Sequence, residues 1–110
     1  MTRTPPTSEV LPLQLEVRGE ILSWRGPAPY HFVAVPEPGR SALHEVASFV
    51  TYGWGMIPAT ATTGSTTWTT ALFPREGGYL IPIKVAVQRA EQLEVGDTVT
   101  ILLTVEASDR

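Results

Sequence analysis

The chain contains no cysteine. That excludes a disulfide framework and any thiolate metal site, and it suits a reducing compartment. Long apolar runs are missing too. No stretch is long enough to span a bilayer, and the opening MTRTPPTSEVLP lacks the apolar centre of a signal peptide. A soluble cytoplasmic protein with no membrane partner is the expectation. Positive charge is sparse: eight basic residues are scattered singly and the net charge is −3. Tracking a phosphate backbone needs clustered cations, so nucleic acid ranks last among the partners considered.

Motifs that carry chemistry are equally scarce. The two histidines, His31 and His44, form no HxxxH pair, so no metal is expected. No serine stands in a GxSxG elbow, and Ser65 is explained by a turn. Gly77-Gly78 invites a phosphate-cradle reading, but Tyr79-Leu80-Ile81 continue as strand where a Walker loop would run into a helix. A turn needing positive φ explains both glycines more simply. No cofactor is implied.

What is present is β-pattern. At 110 residues, 43% of them hydrophobic and 17% charged, the chain suits one modest core. Residues 1–10 read as a disordered tail and 11–107 as a single domain. From Leu13 apolar residues alternate with Gln14, Glu16 and Arg18, the signature of a half-buried strand. Gly19 is placed as a bulge or bend before Ile21, Leu22 and Trp24. Arg25 to Pro29 reads as a turn, and YHFVAV as a strand ending at Pro36. Between Pro38 and Thr51, Leu43, Val46, Ala47 and Val50 fall at helical spacing. Tyr52 to Gly55 then breaks that helix.

MIPATATTGSTTWTTALF is the most explicit segment. Glycine at the first central position of Gly64-Ser65 suits a type II′ hairpin. The resulting register sets Thr63 against Thr66, Ala61 against Trp68 and Ile57 against Leu72. One face then carries Ile57, Ala59, Ala61, Trp68, Thr70 and Leu72, and the other Thr60, Thr62, Thr67 and Thr69. Pro74 is read as the end of that strand, and Pro82 as the mark of an edge or bulge in the next. Val87, Ala90 and Leu93 predict a short second helix, and Val95-Gly96-Asp97 a turn into Val99, Ile101, Leu103 and Val105. The sum is a mainly β protein: a small closed or partly open β-barrel of about six strands, with one three-turn helix and one short helix.

The succession FVAVPE, a helix, WGMIPATAT, ALFPREGGYLIPIKVAVQRA and LEVGDTVTILL resembles the bacterial family known as domain of unknown function 1905, over roughly residues 13–106. The ordered pattern WG-x-IP, LFP, GGYL-x-P-x-K and GD-x-V carries that resemblance. It implies a small β-barrel and no assigned activity. Members tend to have a larger aliphatic residue where Ala59 or Thr63 stands, and phenylalanine in place of Trp68. A larger ring opposite smaller partners conserves core volume. They also tend to have Arg or Lys in place of Met56, Thr60, Thr69 and Gln88, so the outward hairpin face has lost positive charge here.

The candidate site residues are Trp54, Phe73, Arg75, Tyr79, Lys84 and His31. Lys84 lies in IPIKVAV almost without polar neighbours. An apolar setting lets a lysine act as base or anion receptor, or snorkel into water along its stem. Trp54, Phe73 and Tyr79 could wall a pocket, although aromatics in so small a barrel are expected mostly in the core. His44 reads as a solvated helix residue, and His31 as facing the lumen or water. The favoured function is a non-catalytic module binding a small molecule or protein partner. The alternative is a small acid/base enzyme using Lys84 with Tyr79 or His31.

Overall fold

The computed structural model describes residues 11–24, 30–51 and 55–106. The expected tail at 1–10, the turn at 25–29 and the helix break at 52–54, with Trp54, lie outside the described residues. Within them, seven strands and two helices follow in the order β1 (Leu13–Glu20), β2 (Leu22–Ser23), β3 (His31–Ala34), α1 (Gly39–Val50), β4 (Ile57–Thr63), β5 (Thr66–Arg75), β6 (Gly78–Ile83), α2 (Val85–Glu91) and β7 (Thr98–Val105). The strands form one antiparallel sheet ordered β1-β7-β4-β5-β6-β3-β2. It curls into a half-barrel around Val17, Ile21, Val33, Ile57, Trp68, Ile81 and Leu103. No helix among the described residues is long and apolar enough to cross a membrane.

The β4–β5 hairpin pairs as the residues predict: Ile57 with Leu72, Ala61 with Trp68, Thr63 with Thr66. Gly64 has φ +58° while Ser65 stays at negative φ, as a type II′ turn requires. Thr62 and Thr67 share a 2.9 Å hydroxyl bond on the outer face. Buried Thr63 donates to the Thr100 carbonyl at 2.9 Å, which satisfies a hydroxyl that would otherwise be costly inside. β7 presents Val99, Ile101, Leu103 and Val105 to the core, as their alternation predicts.

Four local expectations change. Gly19 makes no bulge; β1 runs straight through it, paired with Val99. A Cβ there would stand 2.9 Å from Val33 Cγ1, so the glycine lets β1 close against β3. Pro74 lies inside β5, paired with Tyr79, and does not end the strand. This is tolerated because the β4 ladder stops at Ile57–Leu72, leaving no β4 acceptor for the N–H that Pro74 lacks. In the β5–β6 turn the positive φ values belong to Glu76 (51°) and Gly77 (79°), not to both glycines. Gly78 is small for another reason: a Cβ would meet Arg40 Cδ at 3.0 Å. Finally, Ala90 is exposed, and Val87 with half-buried Leu93 seats α2 on the core.

Pro82 agrees with the edge-like position assigned to it. β6 pairs with β5 only through Leu80, and beyond that its ladder is with β3 alone. On the vacated side the Trp68 indole N–H donates to the Pro82 carbonyl at 3.3 Å.

The helices fasten the two ends of the sheet. α1 buries Leu43, Val46 and Val50. Its first turn is held by Glu37, whose carboxylate accepts from the Ser41 N–H and hydroxyl at 3.0 Å each. At the other end, Glu91 on α2 accepts from the Thr66 hydroxyl and from the Ser65 N–H and hydroxyl, clasping the β4–β5 turn. The Thr66 bond, followed by those from Ser65, holds the Glu91 carboxyl below the usual carboxylate range. A depressed folded-state value contributes stability above the unfolded value, and this is lost as pH falls through the folded one. The stability gap between wild type and Glu91→Gln should therefore narrow as pH drops from about 6 to about 3. Urea midpoints across that range check this; a constant gap contradicts it.

Candidate functional site

β3 and β6 each have two faces, and the buried set Val33, Ile81 and Ile83 assigns one of them to the core. Residues between them, Phe32, Leu80 and Pro82, must then point outward. Cross-strand pairing gathers these on one surface: Phe32 opposite Pro82 and Leu22, and Phe73 opposite Leu80. Trp24 and Tyr30 join them, because the Trp24 N–H donates to the Tyr30 carbonyl at 2.8 Å and extends the β2–β3 pairing. The rings touch in series. Trp24 stacks on Tyr30 at 6.0 Å with planes 19° apart, and Tyr30 meets Phe32 at 6.0 Å and the edge of Phe73 at 6.0 Å. Leu80 is 7% exposed yet stands apart from the main core cluster; it lies in the floor of this second, outer cluster.

The expectation that aromatics would fill the core thus holds for Trp68 and Tyr79 and fails for Trp24, Tyr30, Phe32 and Phe73. The physical reason is volume. Val, Ile and Leu, with Trp68 and Tyr79, already fill the inside of a narrow half-barrel, and these four further rings pack on its outside.

Three shallow grooves run between these rings. The first, about 400 Å³, is walled by Tyr30 and Phe73, floored by Pro82 and Ile83, and bordered by His31, Lys84, Val85 and Gln88. The second, about 360 Å³, continues past Phe73 to Met56, Pro74, Arg75 and Leu80. The third, about 390 Å³, lies between Trp24, Phe32 and Arg75. The first two share Tyr30 and Phe73, so these rings form the ridge between them.

Polar groups border the first groove in a defined arrangement. His31 pairs with Ile83 at the rim of the half-barrel, half-buried, and its Nδ1 donates to Gln88 Oε1 at 2.7 Å. That bond fixes the imidazole plane and leaves Nε2 as the ring nitrogen without a protein partner among the described residues. Lys84 stands at the junction of β6 and α2 with an extended backbone (φ −71°, ψ 150°) and an exposed side chain. It has no carboxylate within ion-pairing distance among the described residues. Arg75 is engaged twice: its guanidinium lies 4.2 Å over the Trp24 ring and its Nε is 3.3 Å from Glu76. An exposed cation–π contact contributes about 0.5–1 kcal/mol, more than the exposed ion pair beside it.

The structure therefore brings Phe73, His31 and Lys84 to one groove and Phe73 with Arg75 to the next. It does not bring Tyr79 to Lys84. They lie at opposite ends of β6, five residues or about 16 Å of extended chain apart. Tyr79 is a core residue, and burial pushes its phenol up from its ordinary value, away from a role as base. It packs under α1 against His44, with ring centroids 5.3 Å apart. His44 is exposed but not idle: its Nε2 donates to the Gly77 carbonyl at 2.8 Å, tying α1 to the β5–β6 turn. Trp54 falls outside the described residues. No group of three or more His, Asp or Glu residues suited to a metal occurs among them.

Tyr30, Trp24, Phe32, Met56 and Gln88 were not among the sequence candidates. The first three were within reach of the pattern. In YHFVAV the β-branched Val33 and Val35 mark the core face, so Tyr30 and Phe32 belong to the other. Gln88 gave no signal, since its partner His31 lies 57 residues away.

No curated protein matches the chain. A family model does, over residues 17–103, which takes in the strands, both helices and all three grooves apart from their outermost edges. On that match the chain belongs to the family described as Domain of unknown function (DUF1905).

Proposed function

We propose that this protein is a non-catalytic binding module whose site is the outer aromatic face, and that its ligand is a small molecule seated in the first groove, against Tyr30 and Phe73. The carrying observation is the set of four touching rings placed outside a core that is complete without them. Apolar walls with a few convergent polar groups are the usual make-up of a small-molecule site, and about 400 Å³ is within the usual size. A macromolecular partner would make more use of the three grooves together; the first alone combines apolar walls with His31, Gln88 and Lys84. The acid/base alternative has less support, because Lys84 lies in solvent and Tyr79 is remote from it.

The test uses the fluorescent naphthalene dye 8-anilinonaphthalene-1-sulfonate. Saturable binding to the wild type is expected, weakened about tenfold or more in Tyr30→Ala/Phe73→Ala, as loss of anchoring rings implies. Leu102→Ala, which removes an exposed apolar side chain from a strand remote from the grooves, should bind as wild type does. No saturable binding, or equal loss in the Leu102 variant, overturns the proposal.

A further inference from the structure

Charge around the first groove is unbalanced in a way that defines what it can hold. Acidic residues outnumber basic ones, eleven to eight, in the whole chain. Yet the residues lining this groove include no Asp or Glu, and include Lys84, the only lysine in the sequence. Among the described residues, the other cation of the aromatic face, Arg75, is already occupied by the Trp24 ring and Glu76. Lys84 faces neither constraint, with no carboxylate within 4 Å among the described residues.

The walls specify the rest of the ligand. Tyr30 and Phe73 are in mutual contact at 6.0 Å with their planes 82° apart, so together they form a near right-angled apolar corner on the groove. A flat apolar body fits such a corner better than a branched one, by stacking on one ring and setting its own edge against the other. His31 closes the third side, and its plane is held by the 2.7 Å bond to Gln88 before any ligand arrives. A wall already fixed loses little freedom on binding, which favours affinity in a shallow site.

Resting on the small-molecule reading above, we infer that the ligand is a planar apolar carboxylate: a flat ring system lying against the corner that Tyr30 and Phe73 form, with its carboxylate on the Lys84 ammonium. A carboxylate on an ammonium forms a charge-assisted bond, stronger than a neutral amide makes in the same place. Glu and Asp elsewhere on the surface offer such an anion only repulsion, so Lys84 also decides which end of the ligand enters.

The experiment compares two probes of equal shape, 2-naphthoate and 2-naphthamide, by isothermal titration at neutral pH. Naphthoate should bind about tenfold more tightly than naphthamide. Lys84→Met, which keeps an apolar stem of similar length at an exposed position, should remove that preference and leave naphthamide binding within about twofold. A second readout needs no substitution. Reductive ¹³C-methylation retains the charge of the single lysine, and its methyl resonance should shift with naphthoate and much less with naphthamide. Equal binding of the two probes to wild type overturns the carboxylate assignment while leaving the groove a binding site. A preference for naphthoate that survives Lys84→Met overturns Lys84 as its receptor. Binding of neither probe overturns the small-molecule reading itself.

Discussion

Trp68→Ala should lower folding stability by about 3–5 kcal/mol, the range for removing a large buried ring. Measured as the shift in a urea unfolding transition, this takes a large share of the 5–15 kcal/mol typical of a domain. Two separate losses combine. The ring is 7% exposed and lies across Ala61, so truncation leaves a cavity that this alanine cannot fill. The indole N–H also donates to Pro82, where β5 and β6 have parted and no ladder bond joins them. Trp68→Phe separates the two terms: it retains most of the apolar body and loses only the bond, about 1 kcal/mol with some packing loss. If the alanine variant costs less than about 2 kcal/mol, this position is not the keystone described here.

Gly19→Val should cost about 3 kcal/mol, at the upper end for overpacking a filled site. β1 and β3 approach each other without a ladder among the described residues, and Gly19 faces β3 at close range. Its absent side chain would stand 2.9 Å from Val33 Cγ1 and 3.5 Å from the Ala34 carbonyl. Val33 is fully buried and cannot swing away, so the strands must separate. The same substitution at Gly77, where nothing lies within 4 Å of the added carbon, tests only the strained φ of 79°. Thermal unfolding of Gly19→Ala and Gly19→Val should show a graded loss. A valine variant as stable as wild type would mean that the seam is not close-packed.

These expectations show what the sequence could and could not convey. The β4–β5 register was readable because the turn chemistry at Gly64-Ser65 and the volume match of Trp68 over Ala61 point to the same pairing. Helix α1 was readable because Leu43, Val46 and Val50 repeat at one period. Gly19 was misread as a bend because a glycine in a strand has two meanings, and only the approach of β3, fourteen residues later, selects between them. Pro74 was misread because its tolerance depends on where the neighbouring strand stops. Nothing in LFPREGG states that.

The candidate site was legible in part, for a related reason. Alternation divides a strand into two faces but does not say which is inside when both are apolar. In YHFVAV only the β-branched pair Val33 and Val35 breaks that tie against Phe32, and burial follows it. Of the candidates, Phe73, His31 and Lys84 share one groove and Phe73 and Arg75 the next, whereas Tyr79 was grouped with Lys84 through adjacency in sequence. Five residues of strand carry it to the other end of β6 and across to the other face. For Lys84 the apolar setting IPIKVAV left two outcomes open, a receptor within apolar surroundings or a stem that carries the ammonium into water. Its place at the end of a strand, with Val85 also 60% exposed, leaves it in solvent at the groove's border.

The pairing of β1 with β7 sets the order of pairing against the order of synthesis. Leu13 lies beside Val105, so β1, synthesised before β7, must wait for it before its ladder bonds can form. β7 is also the neighbour of β4 through Thr60–Thr104 and Ala61–Leu103. Until it arrives, two strands on opposite sides of its future place have bare edges, while the pairings β2–β3, β3–β6, β4–β5 and β5–β6 do not depend on it. A nascent chain that stalled before residue 98 would thus present two unpaired β-edges to its neighbours, and it is the final eight-residue strand that seals both at once.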